Sequence, residues 1–228
     1  MKKTEGTKQG ILYGVGVGPG DPELLTLKAV RILRECDVIA IPQESKEGCT
    51  AYQIARQAVP ELDEKPCLPL PMPMTKDREK LAAGHTVALI TLGDATVYST
   101  YLYVHERIKR LGFETRIVNG IPSFCAAAAR LDMPLVNGSQ KLHILPASYH
   151  IEEALELPGV KVLMKSGRQM PKVKALLKEK GLEARMVENC GMEGEKTYQS
   201  LEEIPDDAGY FSLLIAESSE EKQGGQRT

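Results

Sequence analysis

The chain has 228 residues, of which 42% are hydrophobic and 26% are charged, and its formal net charge is -2. This composition is that of a globular protein with enough apolar material for a core, so general disorder is excluded and one large or two modest α/β units are expected. A nearly neutral total argues against broad nucleic-acid binding, but it is compatible with acidic small molecules.

The N-terminus is polar, and no segment is long and apolar enough to span a bilayer. The five cysteines are odd in number and have no C-x-x-C spacing, which predicts reduced thiols. Together these features predict a soluble cytoplasmic protein that has neither membrane nor nucleic acid as a partner.

The first predicted unit is strand, loop, helix, strand. Residues 11–17 predict a strand that runs into the turn Gly18-Pro19-Gly20. Asp21 is the predicted N-cap of a helix that continues to about Glu35, and residues 37–42 predict a second strand. This βαβ pattern favours parallel pairing.

A dinucleotide-binding loop is rejected by the glycine register. The pattern G-x-G-x-x-G requires a third glycine, but its place is taken by Pro19 when counting starts at Gly14 and by Asp21 when it starts at Gly16. Two interpretations stay open: glycines that only permit a tight turn, or a loop whose backbone closely approaches a small ligand.

The rest of the chain predicts an α/β protein of two domains. A segment rich in proline at 67–74 is predicted at a sheet edge, because proline removes ladder donors. Residues 134–140 have the composition of a linker, which predicts a boundary between two domains, residues 1–135 and residues 136–228. The predicted N-terminal sheet is mainly parallel and the C-terminal sheet is mixed. Further strands are predicted at 86–91, 113–118, 141–146, 160–164, 184–189, 197–200 and 210–216, and further helices at 50–59, 75–83, 97–110, 125–130, 150–157 and 170–180.

Familiar catalytic motifs are missing from the sequence. There is no histidine or carboxylate spacing typical of a metal site, no G-x-S-x-G elbow, and no P-loop or kinase signature. What remains is a set of small-residue turns that follow strands, and in α/β folds such turns form the ligand crevice. They are Gly18-Pro19-Gly20, Leu92-Gly93-Asp94, Ile121-Pro122-Ser123 and Lys165-Ser166-Gly167-Arg168.

These turns carry a family resemblance. The segments 15–26 and 120–124, together with Gly93-Asp94, are similar in order and spacing to signatures of the tetrapyrrole methylase family. The resemblance implies two α/β domains with S-adenosylmethionine in the cleft between them, and a homodimer. No protein-bound metal is expected, because the sequence lacks metal-ligand spacing. The proline-rich edge near Leu70 is a candidate dimer contact.

Within that family, residues 93–100 and 165–168 resemble the branch that methylates carbon-20 of precorrin-2 or cobalt-factor II on the route to cobalamin. Uroporphyrinogen-III methylases are expected to have Gly-Gly-Asp-Pro where this chain has Leu92-Gly93-Asp94-Ala95. Alternatives are methylation of another corrinoid carbon, of RNA or of protein, and a module that binds the cofactor without turnover. Binding to RNA phosphates needs clustered positive charge, and the thin basic surface expected for this chain argues against an RNA substrate.

Individual site residues follow from the resemblance and from the chemistry of the methyl transfer that it implies. Asp94 and Tyr98 are candidate catalytic residues, and an N-cap role for Asp94 is the alternative. Ser99 and Thr100 offer hydroxyl groups to the substrate, whose many carboxylates call for cations such as Lys46, Arg130 and Arg168. The implied cofactor contacts are Pro19, Leu92, Gly93, Asp94, Val97, Ser123, Phe124, Lys165, Cys190 and Ser212.

Overall fold

The computed structural model describes residues 10–70, 76–147 and 151–218, without the side chains of residues 76–78 and 168. The chain divides into two compact units, residues 1–122 and 123–228. The domain boundary predicted from the sequence, between residues 135 and 136, assigns residues 123–135 to the N-terminal domain instead, and it stays a prediction.

The first unit is a parallel sheet with helices. Its sheet has the order β3-β2-β4-β1-β5, and all of its pairs are parallel. The strands are β1 (Ile11–Gly16), β2 (Val38–Ile41), β3 (Cys67–Pro69), β4 (Val87–Thr91) and β5 (Glu114–Val118). The helices are α1 (Leu27–Glu35), α2 (Thr50–Ala58), α3 (Lys76–Ala82) and α4 (Tyr101–Arg110). The proline-containing β3 lies at the sheet edge, as predicted, whereas residues 71–74 of the same segment lie outside the described residues.

Helix α4 packs directly on β1. A Cβ atom at Gly14 would lie 2.1 Å from the ring of Tyr101, so only glycine leaves room for this ring. The ring is fully buried, and its hydroxyl group donates to the carbonyl oxygen of Arg116 on β5 at 3.0 Å. The β1 and β2 strands, predicted as a βαβ pair, are separated by β4, because β4 pairs with both.

The first predicted helix is interrupted. Asp21 does act as an N-cap, accepting from the backbone N–H of Glu23 at 2.9 Å, but it caps only a 3-10 turn over Pro22–Leu24. A second cap follows at once, since the Thr26 hydroxyl accepts from the backbone N–H of Ala29 at 3.2 Å and starts α1 at Leu27. The second cap explains why a single helix from Asp21 to Glu35 is wrong.

Helix α4 begins at Tyr101, four residues later than the predicted start at residue 97. Tyr98 has a φ of 47°, in the left-handed region that an α-helix does not use. The Ser99 hydroxyl lies 3.0 Å from that of Thr91 and accepts from the backbone N–H of Tyr101 at 3.2 Å. These bonds hold a turn in place of the predicted first helical turn.

The second unit contains a mixed sheet of order β6-β7-β10-β8-β9. The β6–β7 pair is parallel and the other three pairs are antiparallel, which confirms the predicted mixed sheet. Its strands are β6 (Leu142–Pro146), β7 (Val160–Met164), β8 (Leu182–Glu188), β9 (Lys196–Tyr198) and β10 (Ser212–Ser218), and its helices are α5 (Ser123–Arg130), α6 (Glu152–Leu155) and α7 (Met170–Glu179). A core cluster that includes Leu163, Met170, Leu177, Met186 and Leu214 joins α7 to this sheet.

The described residues contain neither a membrane-spanning helix nor a cluster of metal ligands. No helix within them combines the length and the apolar character needed to cross a membrane. Within the same residues, no three His, Cys, Asp or Glu side chains are grouped as metal ligands.

Candidate functional site

Three loops meet at one edge of the first sheet. They follow β4, β1 and β5, which are neighbours in the parallel sheet, so their carboxyl ends lie side by side. The loop after β1 contains Pro19, the loop after β4 contains Leu92, Gly93 and Asp94, and the loop after β5 contains Gly120. Loops at this position are the usual ligand-binding edge of an α/β sheet.

The first two loops are joined backbone to backbone. The N–H of Gly93 donates to the carbonyl oxygen of Gly18 at 2.8 Å, and the N–H of Gly18 donates back to that of Gly93 at 3.2 Å. Both glycines have a positive φ, 75° at Gly18 and 70° at Gly93, which explains the glycine requirement at both ends of the bridge.

Glycine also permits the closest approach in these loops. A Cβ atom at Gly120 would lie 2.2 Å from the carbonyl oxygen of Gly93 and 2.8 Å from the carbonyl carbon of Gly16. A Cβ atom at Gly16 would lie 2.6 Å from the same Gly93 oxygen and 2.7 Å from the backbone nitrogen of Gly120. The three loops are therefore in backbone contact with no side chain between them.

Asp94 links the loops after β4 and β5. One of its oxygens accepts from the backbone N–H of Thr96 at 2.8 Å and from the Thr96 hydroxyl. The other accepts from the backbone N–H of Gly120 at 2.9 Å and from the side-chain amide of Asn119 at 3.2 Å. Four donors fill the acceptor positions of the carboxylate, which is only 5% exposed.

The electrostatics of Asp94 follow from this arrangement. Burial alone raises the pKa of the Asp94 carboxyl, but the hydrogen bonds from Thr96, Asn119 and Gly120 outweigh it and hold the pKa below its ordinary value. A carboxylate with a lowered pKa and filled acceptor positions is suited to shaping loops rather than to transferring a proton. The predicted N-cap role also needs revision, because Asp94 caps a turn and not a helix.

Sequence reasoning missed Asn119 and Thr26 in this site. The Asn119 side chain donates to Asp94, and its carbonyl oxygen accepts from the Thr26 hydroxyl at 3.2 Å. The Asn-Gly pair after a strand was the available signal. Its meaning depends on β5 being adjacent to β1, which local sequence does not reveal.

The apolar cofactor candidates of the first unit lie around the same loops. Pro19 is buried, whereas Leu92 and Val97 are half-buried. The backbone N–H of Val97 donates to the carbonyl oxygen of Asp94 at 3.3 Å, which closes the turn after Gly93. The structure thus brings Pro19, Leu92, Gly93, Asp94 and Val97 to one sheet edge.

The hydroxyl candidates differ in availability. Tyr98 has 47% of its surface exposed, on a left-handed backbone that few non-glycine residues adopt. Ser99 uses its hydroxyl group within the turn to Tyr101, and Thr100 is exposed at the N-terminus of α4. Strain at Tyr98 is typical of a functional position, although the strain alone does not define a role.

Lys46 lies on the loop before α2, and its ammonium group is held within the first unit. Its Nζ donates to the carbonyl oxygen of Asp63 at 3.3 Å and lies 5.0 Å from the centre of the Tyr52 ring. The Tyr52 hydroxyl in turn donates to the Asp63 carboxylate at 2.8 Å. Lys46 is therefore an oriented cation rather than a freely solvated one.

In the second unit, three candidates lie at the same end of the neighbouring strands β7, β10 and β8. Lys165 follows β7, Cys190 follows β8 by two residues, and Ser212 starts β10, which is antiparallel to both strands. Lys165 is exposed and has a φ of 61°, whereas Ser212 is buried and its hydroxyl donates to the carbonyl oxygen of Gly209 at 2.7 Å. Cys190 is half-buried.

The remaining candidates lie on α5 and after β7. Ser123 is half-buried at the first position of α5, and Phe124 is buried beside it. Arg130, at the end of α5, forms an ion pair of 2.9 Å with Glu195 and keeps about half of its side chain exposed. Arg168 lies in the 3-10 turn Gly167–Gln169, and its side chain is outside the described part of the chain.

Curated relatives of the chain resemble it over nearly its whole length. A protein of Methanocaldococcus jannaschii named probable cobalt-precorrin-2 C(20)-methyltransferase is 37% identical, with 90% of this chain and 94% of that protein covered. A Sinorhizobium protein named precorrin-2 C(20)-methyltransferase is 32% identical, with coverages of 92% and 96%.

Solved structures share the fold. A cobalamin biosynthetic enzyme, cobalt precorrin-4 methyltransferase, has a TM-score of 0.74 at 18% identity and covers 91% of this chain and 94% of its own. Uroporphyrin-III C-methyltransferase from Thermus thermophilus, crystallised in complex with S-adenosylhomocysteine, has a TM-score of 0.69 at 21% identity, with coverages of 90% and 96%. At these identities the structures indicate the fold alone.

The family follows from the sequence match and agrees with the loop geometry. Residues 11–205 match the profile of the tetrapyrrole (corrin/porphyrin) methylases, a range that includes both sheets except β10. The chain belongs to the tetrapyrrole methylase family.

Proposed function

We propose that this protein is an S-adenosylmethionine-dependent C-methyltransferase that methylates carbon-20 of precorrin-2 or cobalt-factor II in cobalamin biosynthesis. The observation that carries the proposal is 37% identity over 90% of the chain to a relative named for the C(20) reaction on cobalt-precorrin-2. The relative named for precorrin-2 supports the same carbon on a substrate without cobalt, so the proposal includes substrates with and without the metal. Cobalt-factor II enters the proposal through the sequence resemblance.

The residues of the first unit fit the cofactor. When bound, S-adenosylmethionine supplies a methyl group already activated on its sulfonium. The backbones of Gly18 and Gly93 carry no side chains that would hinder a ligand, and Leu92 and Val97 offer half-buried apolar surface. The remaining cofactor contacts are assigned to Pro19, Ser123, Phe124, Lys165, Cys190 and Ser212.

The task of the chain is then to position groups. Holding a carbon nucleophile and a methyl group in line contributes about 7–11 kcal/mol to lowering a barrier. Asp94 serves this task indirectly, because its four hydrogen bonds hold the loops after β4 and β5 in register. Tyr98, exposed and strained, is assigned to the substrate side together with Ser99 and Thr100.

The macrocycle's carboxylates require cations. Lys46 is the best-supported candidate, because Asp63 and Tyr52 orient its ammonium group while leaving the side chain partly exposed. Arg130 contributes less in this proposal, since Glu195 already pairs with its guanidinium group. Arg168 completes the set on the strength of the resemblance alone.

The deciding experiment is incubation of the purified protein with S-adenosylmethionine and either precorrin-2 or cobalt-factor II. Mass spectrometry and a carbon-13 label in the methyl group then locate the product carbon. A methyl group at carbon-20 of either substrate supports the proposal. Methylation at another carbon supports the alternative corrinoid reaction, and cofactor binding without any product supports a non-catalytic module.

The homodimer and the cytoplasmic location implied by the sequence stay predictions. The Leu70 side chain is only 2% exposed in the first unit, so it offers little surface of its own to the suggested dimer contact near it. Sedimentation of the purified protein tests the subunit number directly.

A further inference from the structure

Glu188 ends β8 and holds the chain just before β10. One oxygen of its carboxylate accepts from the backbone N–H of Gly209 at 2.6 Å, and the other accepts from the Tyr198 hydroxyl at 3.4 Å. The first is a charge-assisted bond to a main-chain donor, which is stronger than a bond between neutral groups. Glu188 also stands directly opposite Ser212 in the β8–β10 ladder.

Gly209 transmits this hold in two directions. Its carbonyl oxygen accepts from the Ser212 hydroxyl at 2.7 Å. The same oxygen lies against the backbone of Gly167, where an added Cβ atom would be only 2.3 Å away. Gly209, which Glu188 holds through its N–H, therefore contacts both Ser212 and the loop that follows β7 through its carbonyl oxygen.

That loop contains Lys165 in a conformation that needs support. Lys165 has a φ of 61°, and the next residue, Ser166, is completely buried. A left-handed backbone at a non-glycine residue is strained and persists only where its surroundings hold it. The contact between Gly167 and Gly209 lies two residues beyond Lys165 and supplies such a hold.

We infer that Glu188 is a positioning residue for the cofactor site, acting through Gly209 to place Ser212 and the loop of Lys165. The inference rests on the proposed function, which assigns Lys165 and Ser212 to the cofactor. Glu188 itself need not touch the cofactor.

The test is calorimetric titration of the full-length protein with S-adenosylhomocysteine. We expect Glu188→Ala to raise the Kd about tenfold, because the Gly209 peptide loses its anchor. Glu188→Gln keeps an oxygen acceptor of the same reach and is expected to bind within about threefold of the wild type. In turnover assays, the alanine variant is expected to raise KM for S-adenosylmethionine more than it lowers kcat.

Glu203→Ala is the matched control. Glu203 also accepts from a backbone N–H, that of Gln199 at 2.8 Å, in the same unit. Its removal is expected to cost similar stability and leave the Kd unchanged. Equal Kd values for the Glu188 and Glu203 variants, or no rescue by glutamine, overturn the inference.

A second variant covers the case in which Glu188→Ala does not fold. Gly167→Ala pushes the Gly209 carbonyl from the opposite side and is expected to raise the Kd as well; an unchanged Kd overturns the inference. Absence of binding by the wild type defeats both this inference and the proposed function. Binding by the wild type without methylation of either substrate defeats only the proposed function.

Discussion

The Asp94 carboxylate accepts a hydrogen bond from the backbone N–H of Gly120 at 2.9 Å, across 26 residues of sequence. This bond joins the loops after β4 and β5, which flank the loop after β1. A residue expected to take part in chemistry is therefore also a side-chain link between two loops of the candidate site.

Replacing Asp94 by Asn is expected to destabilise the first unit by about 1–3 kcal/mol, because an amide NH2 would face one pair of N–H or O–H donors. Denaturant unfolding measures this loss. Asp21→Asn is the control, since Asp21 accepts a single bond and asparagine caps equally well. Unchanged stability together with a large loss of kcat would instead assign Asp94 to catalysis alone.

The lowered pKa of Asp94 predicts how the stability difference between the wild type and Asp94→Asn depends on pH. Because the pKa is below its ordinary value of 3.8 in the folded protein, the stabilisation is complete above that value and is lost as pH falls through the lowered pKa. The stability difference between the wild type and Asp94→Asn is therefore expected to shrink below about pH 4. Unfolding at pH 7, 5, 4 and 3 tests this, and a constant difference would contradict the linkage.

Gly120→Ala is expected to destabilise the protein by about 2 kcal/mol or more and to weaken S-adenosylhomocysteine binding, because the added Cβ atom meets backbone atoms that cannot rotate away. Gly48→Ala is the control. The nearest atom to its added Cβ, the Ser45 Oγ, is 3.7 Å away, so stability is expected to change by less than about 1 kcal/mol. Similar losses at both positions would argue against the close loop packing.

Lys46→Glu is expected to raise the substrate KM about tenfold, since a carboxylate replaces a cation that faces carboxylates, and to leave the Kd for S-adenosylhomocysteine within about twofold. Lys65→Glu is the matched control, because the Lys65 ammonium also donates to backbone carbonyl oxygens, those of Arg34 and Cys36. Equal changes in substrate and cofactor affinity for Lys46→Glu would remove Lys46 from the substrate site.

Local patterns in the sequence were sufficient to predict the α/β class and the two kinds of sheet. Short-range patterns placed nine of the ten strands in the described part of the chain to within a few residues, whereas the proline-containing β3 was predicted only as part of a sheet edge. The predicted start of α4 was wrong because Tyr98 adopts a left-handed backbone conformation, which tyrosine rarely does. Periodicity alone carries no sign of that exception.

The sequence indicated residues of the candidate site only where they lie in a recognisable motif. The family resemblance indicated Gly93 and Asp94. Asn119 and Thr26 were identified only from hydrogen bonds between loops that are distant in sequence. Glu188 was hidden for the same reason, because its partner Gly209 is 21 residues away. Such contacts depend on strand order, and strand order is a property of the whole sheet.

The position of β1 between β4 and β5 also governs how the chain folds during synthesis. Its partners begin at Val87 and Glu114, so one partner is encoded roughly a hundred residues after β1 itself. At about 5–20 residues per second, a ribosome needs on the order of 5–20 s to deliver that second partner. During this interval the side of β1 that pairs with β5 has no partner, so an apolar strand edge of the nascent chain is exposed to aggregation until β5 is made.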